Sequence, residues 1–168
     1  MAGSIVTDWA MKINTSETLD NTLAGNDGAA TPVVTHTAFS SKGTLTATTT
    51  ATPVTVCSYK SYTQAGATDT LDLRVLVGVN GKAVDGNGLH VQLFKIKNTH
   101  AANTVTLSSG TATSYDMLGS AFTFTLQPGM EAMFNLVDLP TQAIDDTHKH
   151  MDITATAATT YDIGIVMG

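Results

Sequence analysis

The chain has 168 residues, a single cysteine and a formal charge of −6, from 8 Lys and Arg against 14 Asp and Glu. That length fits one ordinary domain with a core of its own, and Cys57 alone cannot form an internal bridge, so a disulfide framework is excluded and none is needed. The acidic balance, with Lys95 and Lys97 as the one close basic pair, gives a phosphate backbone little to hold and argues against direct nucleic-acid binding.

Charged residues make up only 13% of the chain while Thr, Ala and Ser abound, which implies a surface of hydroxyls and methyls suited to packing beside identical neighbours. The first residues lack the basic start and apolar core of a signal peptide, and no apolar run approaches the roughly twenty residues of a spanning helix. The expectation is a chain folded in a reducing cytoplasm, with no membrane role.

At the N-terminus, Ile5, Trp9, Met11 and Ile13 share one side of an extended segment, and the only tryptophan of the chain stands among them. Two readings are open. The segment is either the first strand of a sandwich or an arm that docks on a neighbouring subunit by adding a strand. Residues 16–23 carry the signal of one or two helical turns with Ser16 as N-cap, ended by a flexible loop at 25–30.

Strands follow at 33–39, 44–50 and 54–59, read from β-branched and aromatic stretches bounded by Gly, Asn, Asp and Pro. The clearest strand spans 70–79, where Leu71, Leu73, Val75, Val77 and Val79 share one face before the Asn80-Gly81 turn. After the Asp85-Gly86-Asn87-Gly88 turn, the strand at 91–98 sets Phe94 and Ile96 against Lys95 and Lys97. Strands at 104–108, 122–126, 131–137, 151–155 and 161–167 complete the series, with Pro128-Gly129 as a hairpin turn and loops at 66–69 and 142–149. Many short strands without an alternating helical pattern predict an all-β fold, an antiparallel jelly-roll sandwich with an N-terminal arm. Residues 1–30 form the arm and its loop; residues 31–168 form the sandwich domain.

The chemistry-bearing residues are few. His148 and His150 fall on the same side of an extended segment, just after Asp145 and Asp146, but further metal ligands are not identified and a solvated polar loop is the favoured reading. The cupin pattern of His-x-His with a downstream Glu and a Pro-x-Gly turn does not match, because Pro128-Gly129 precedes His148 and Ile153 and Thr154 stand where the Glu belongs. Gly78-Val79-Asn80-Gly81-Lys82 lacks the Gly spacing and the Ser/Thr of a phosphate loop, and Asp85-Gly86-Asn87-Gly88 lacks the later Glu of a calcium loop. Cys57 sits in a strand with no His, Lys or Arg beside it in sequence, the setting of a buried, inert thiol. The expectation is a non-enzyme with no catalytic set, no cofactor and no metal.

Three stretches of the second half carry a family resemblance: Lys95-Ile96-Lys97-Asn98-Thr99 leading to Asn103-Thr104-Val105-Thr106-Leu107, then Phe124-Thr125-Leu126-Gln127-Pro128-Gly129, and the terminal run from Tyr161 to Gly168. Together they resemble small bacteriophage proteins encoded beside the major capsid protein. The resemblance implies a jelly-roll capsid decoration, or cement, protein that sits as a homotrimer on the outer surface of the virion head, with the major capsid protein and copies of itself as partners. Ile5, Trp9, Met11 and Ile13 are the candidate subunit-contact residues.

Two rivals stand beside it. One is a receptor- or carbohydrate-binding module of a phage fibre or tail, with Tyr59, Tyr62 and Tyr115 clustering on loops; the other is a small major capsid protein, against which the lack of a basic inward face weighs.

Overall fold

The structure, a computed structural model, describes residues 5–18, 33–48, 53–78, 80–138 and 142–168. Its strands in chain order are β1 (Val6–Thr18), β2 (Val33–Thr46), β3 (Val56–Gln64), β4 (Thr68–Asp72), β5 (Leu76–Val77), β6 (Ala83–Val84), β7 (Val91–Asn98), β8 (Val105–Ser109), β9 (Thr123–Leu126), β10 (Glu131–Asn135), β11 (His150–Ala155) and β12 (Thr159–Met167). No helix occurs among the described residues, so none there is long and apolar enough to cross a membrane.

Eight of these strands build an antiparallel β-sandwich. One sheet runs β10-β7-β12-β3 and the other β4-β11-β8-β9. Numbered within the sandwich, the first strand pairs with the eighth (β3 with β12) and the second with the seventh (β4 with β11). The third pairs with the sixth (β7 with β10) and the fourth with the fifth (β8 with β9). Two further pairings, β12 with β7 and β11 with β8, join these couples into the two sheets.

Period-two alternation explains which side of each sheet is buried. On β7, Phe94 and Ile96 point inward while Lys95 and Lys97 stay exposed; on β12, Tyr161, Ile163 and Ile165 are buried. They meet Leu71, Val105, Leu107, Leu126, Met151 and Ile153 of the opposing sheet in one apolar cluster. Loop residues Tyr115, Met117 and Ile144, each fully buried, complete that cluster. Phe124 of β9 stands edge-on to Phe134 of β10, with ring centroids 5.9 Å apart, and so links the two sheets.

Two buried amides join the layers as well. The Asn98 Nδ2 on β7 donates to the Leu126 carbonyl of the other sheet at 3.3 Å and to the Asn103 carbonyl at 2.8 Å, while its Oδ1 accepts from the His100 amide at 3.0 Å. Gln64 Nε2 on β3 donates to the Ile153 carbonyl of β11 at 2.9 Å. Such bonds are worth little net when made, but a buried group left without its partner is costly.

The structure differs from the sequence reading in several elements. The strand expected over 70–79 breaks after Asp72: its carboxylate accepts the Arg74 amide at 2.8 Å and its carbonyl accepts the Val75 amide at 3.1 Å, which turns the chain. The apolar face shifts with that turn, so Leu76 is buried and Val75 is 77% exposed. The separate strands expected at 33–39 and 44–50 are one strand, β2, up to Thr46, and residues 49–50 lie outside the described residues. Residues 16–18 of the expected helical turn are extended in β1, and the rest of that segment, with the loop at 25–30, also lies outside them.

Pro128-Gly129 makes a turn, the Met130 amide donating to the Gln127 carbonyl at 3.0 Å with Gly129 at φ 75°. It is not a hairpin, because β9 and β10 belong to different sheets.

The chain divides into two compact units, one of Val6–Leu45 and one containing Ile5 and Thr46–Gly168. β2 thus pairs with β1 in a two-stranded ribbon instead of joining the sandwich. Within the ribbon, Thr44 bonds Asp8 and Gly43 lies under Trp9, so the two strands run antiparallel.

Asn98→Ala is expected to destabilise the fold by about 1–3 kcal/mol, because three backbone groups lose a buried partner. The neighbouring exposed substitution Lys97→Ala is expected to stay within about 0.5 kcal/mol of wild type. Denaturant unfolding of both variants measures the contrast.

Candidate functional site

The candidate contact residues lie at the start of the chain and along β1. Ile5 and Trp9 are half-buried, Met11 is 36% exposed and Ile13 is 63% exposed, with Val6 on the opposite face at 60%. The Trp9 indole lies flat over Gly43, where an added Cβ would come within 2.9 Å of the ring, so only glycine fits opposite it. Its Nε1–H is buried and has no hydrogen-bond partner among the described residues. The same-side alignment expected from spacing is present, but on a ribbon separate from both four-stranded sheets, so β1 is not the first strand of the sandwich.

His148 and His150 do not form a pair. Asp145 accepts the Thr147 amide and hydroxyl at 2.7 and 2.8 Å and the His148 amide at 2.8 Å, and the His148 ring sits 3.1 Å from the same oxygen. These bonds, the Thr147 hydroxyl foremost, lower the Asp145 carboxyl from its ordinary 3.8 to about 2. Asp146 instead pairs with Arg74, which also reaches Asp85 at 3.1 Å. Among the described residues no group of three acidic, His or Cys side chains converges as a metal site.

His150 opens β11 on the outward face of the β4-β11-β8-β9 sheet, opposite Asp72 of β4. Its Nε2 lies 3.3 Å from Asp72 Oδ2 and its Nδ1 lies 2.6 Å from the Thr113 hydroxyl, which itself donates to the Ala112 carbonyl at 2.7 Å. Thr113 holds φ 50°, a conformation rare for a β-branched residue, and its carbonyl accepts both the Lys149 and His150 amides, at 2.9 and 3.0 Å. Those bonds fix the 111–114 loop against β11. Gly110 permits it, since an added Cβ would lie 2.6 Å from the His150 carbonyl.

Beside His150, Asp152 is only 6% exposed yet has no Lys or Arg partner among the described residues. Thr70 Oγ1 donates to its Oδ1 at 2.9 Å, and the Thr111 amide and hydroxyl donate to its Oδ2 at 2.9 and 2.6 Å. Burial is the largest single influence on this carboxyl and pushes it up. The Thr111 and Thr70 hydrogen bonds, with the charge of His150, together outweigh it and hold Asp152 below the ordinary 3.8. Thr68, Thr70 and Asp72 of β4, His150 and Asp152 of β11, and residues 111–112 enclose an open cleft of about 480 Å³.

Sequence reasoning singled out His150 but missed Asp72, Thr70, Thr111 and Asp152. Their signal was the polar half of two alternations, Thr68-x-Thr70-x-Asp72 and His150-x-Asp152-x-Thr154; the cross-strand register that unites them is set only by the fold. The tyrosines do not cluster on loops. Tyr115 is fully buried with its hydroxyl accepting the Val91 amide at 3.1 Å, Tyr62 stacks on Tyr161, and Tyr59 is exposed on β3. Cys57 is half-buried on the same strand.

No protein-family model matches the chain, and no curated protein is significantly similar to it.

A depressed carboxyl stabilises the fold in its ionised form. The Asp152 contribution is therefore full above the ordinary 3.8 and is lost as pH falls through the lower folded value. Asp152→Asn is expected to cost about 1–3 kcal/mol at neutral pH and to flatten this part of the acid limb. Unfolding free energies of both proteins between about pH 7 and pH 2 measure it.

Proposed function

We propose that the chain is a structural virion protein, a jelly-roll capsid decoration protein that cements the outer surface of a bacteriophage head. In this reading it binds the major capsid protein and its own copies as a homotrimer, after synthesis in the host cytoplasm. It acts by contact alone, without bond chemistry.

The ribbon is the observation that carries the proposal. A two-stranded β-ribbon is marginal by itself in water, and three or more strands or a packed face are needed for stability. This one has strands of 13 and 14 residues, a reach of about 40 Å, and leaves Val6, Met11 and Ile13 exposed. An adjoining subunit would cover those side chains and extend the ribbon by a further strand.

The strand order supports the jelly-roll part of the reading. Pairing first with eighth, second with seventh, third with sixth and fourth with fifth is the scheme produced by rolling one long hairpin into two sheets. The net charge of −6 favours an outer position, away from packaged DNA. If each subunit covers about 800 Å² on its neighbours, repetition over a closed shell multiplies a modest contact into large resistance to internal pressure.

Heads that carry the chain are expected to release their DNA at a higher temperature than heads without it, as read by a dye-accessibility melt. Ile13→Asp, at an exposed ribbon position, is expected to lower occupancy on the heads by about tenfold. Equal melting with and without the chain would remove the cement role.

A further inference from the structure

The cleft on the outward face of the β4-β11-β8-β9 sheet is a second surface, built from residues that the ribbon does not use. Its polar groups are arranged in one sense. The Thr70 and Thr111 hydroxyls give their protons to Asp152, the Arg74 amide is directed at Asp72 Oδ1, and His150 Nε2 lies 3.3 Å from Asp72 Oδ2. Those donors point into the protein; Asp152 Oδ2 is filled by its two bonds from Thr111, which leaves Asp152 Oδ1, Asp72 and the Thr70 and Thr111 hydroxyl oxygens as acceptors along the cleft. Each is held in place by bonds already made, so little ordering accompanies binding.

These acceptors are spread over two strands and a loop. Asp72 lies opposite His150 and Asp152 opposite Thr70, and no three ligating side chains converge on one point, which suits an array of hydroxyl donors better than a bare ion. Two carboxylates repel anions. Threonine methyl groups and Ala112 add small apolar contacts, and a volume of about 480 Å³ lies within the range of sites for small molecules.

We propose that this cleft binds a neutral saccharide, whose vicinal hydroxyls donate to Asp72, Asp152 and the Thr70 and Thr111 oxygens. Recognition runs through hydrogen bonds, without an aromatic platform, so single-site affinity is modest and repeated display on an assembly raises it. The site does not depend on the decoration reading, since it would bind glycan whether or not the chain coats a shell.

The test is saturation-transfer NMR of the purified chain with a panel of free neutral oligosaccharides ending in glucose, galactose or mannose, with sialylated counterparts alongside. At least one neutral glycan is expected to bind, and the sialylated forms to bind more weakly. Asp152→Asn is expected to weaken binding about tenfold or more. Because Asp152 is nearly buried and that variant can lose stability, Ala112→Arg, at an exposed lining position, is the second arm: its side chain fills the cleft and is expected to abolish the signal. Thr125→Val, on β9 of the same sheet and outside the cleft, is expected to bind as wild type. No signal from any neutral glycan, a preference for sialylated ones, or unchanged binding in Ala112→Arg would overturn the proposal.

Discussion

Burial of a single apolar layer between two four-stranded sheets sets everything else in this molecule. With Phe94, Ile96, Tyr161, Ile163 and Ile165 facing Leu107, Leu126, Met151 and Ile153, a one-residue slip on any strand would carry its apolar set into water. The register is therefore fixed, and with it the identity of every outward residue. On one sheet that outward row brings Lys95 beside Glu131 at 3.2 Å. On the other it brings Thr70, Asp72, His150 and Asp152 together from segments about eighty positions apart in sequence.

The same constraint separates two kinds of surface. Outward residues of the β4-β11-β8-β9 sheet bond one another across strands, as in Thr68 with Thr154 at 2.8 Å and Thr106 with Thr125 at 3.0 Å. The sheet face is thereby polar and internally satisfied. The ribbon presents apolar side chains on both faces of β1 and, among the described residues, one buried donor without an acceptor. A polar face with fixed acceptors suits a small hydroxylated ligand, whereas an apolar ribbon suits a protein neighbour.

Much of the fold was legible in the sequence because half-buried strands announce themselves by alternation. β7 falls where Phe94 and Ile96 alternate with Lys95 and Lys97, and β8 to β12 fall within two residues of the expected bounds. The strongest apolar alternation nevertheless misled. Leu71, Leu73, Val75 and Val77 keep a two-residue period, but the Asp72 side chain caps a turn at Arg74, and local hydrogen bonding outweighed the pattern. The fate of β2 was hidden for another reason: pairing with β1 rather than with a sandwich strand is a choice between partners that a single strand's composition does not encode. The cleft was hidden because it is a property of register. Its residues look like ordinary solvent-facing threonines and aspartates until β4 and β11 lie side by side.

The account rests on the ribbon being a protein-docking element. If the chain coats a phage head as proposed, an electron cryo-microscopy map of that particle tests this most directly. The prediction is density for the sandwich on the outer face of the head, with Val6–Thr18 lying against an adjoining subunit. Heads that lack such density, or a ribbon whose Met11 and Ile13 face open solvent in the assembled particle, would contradict it.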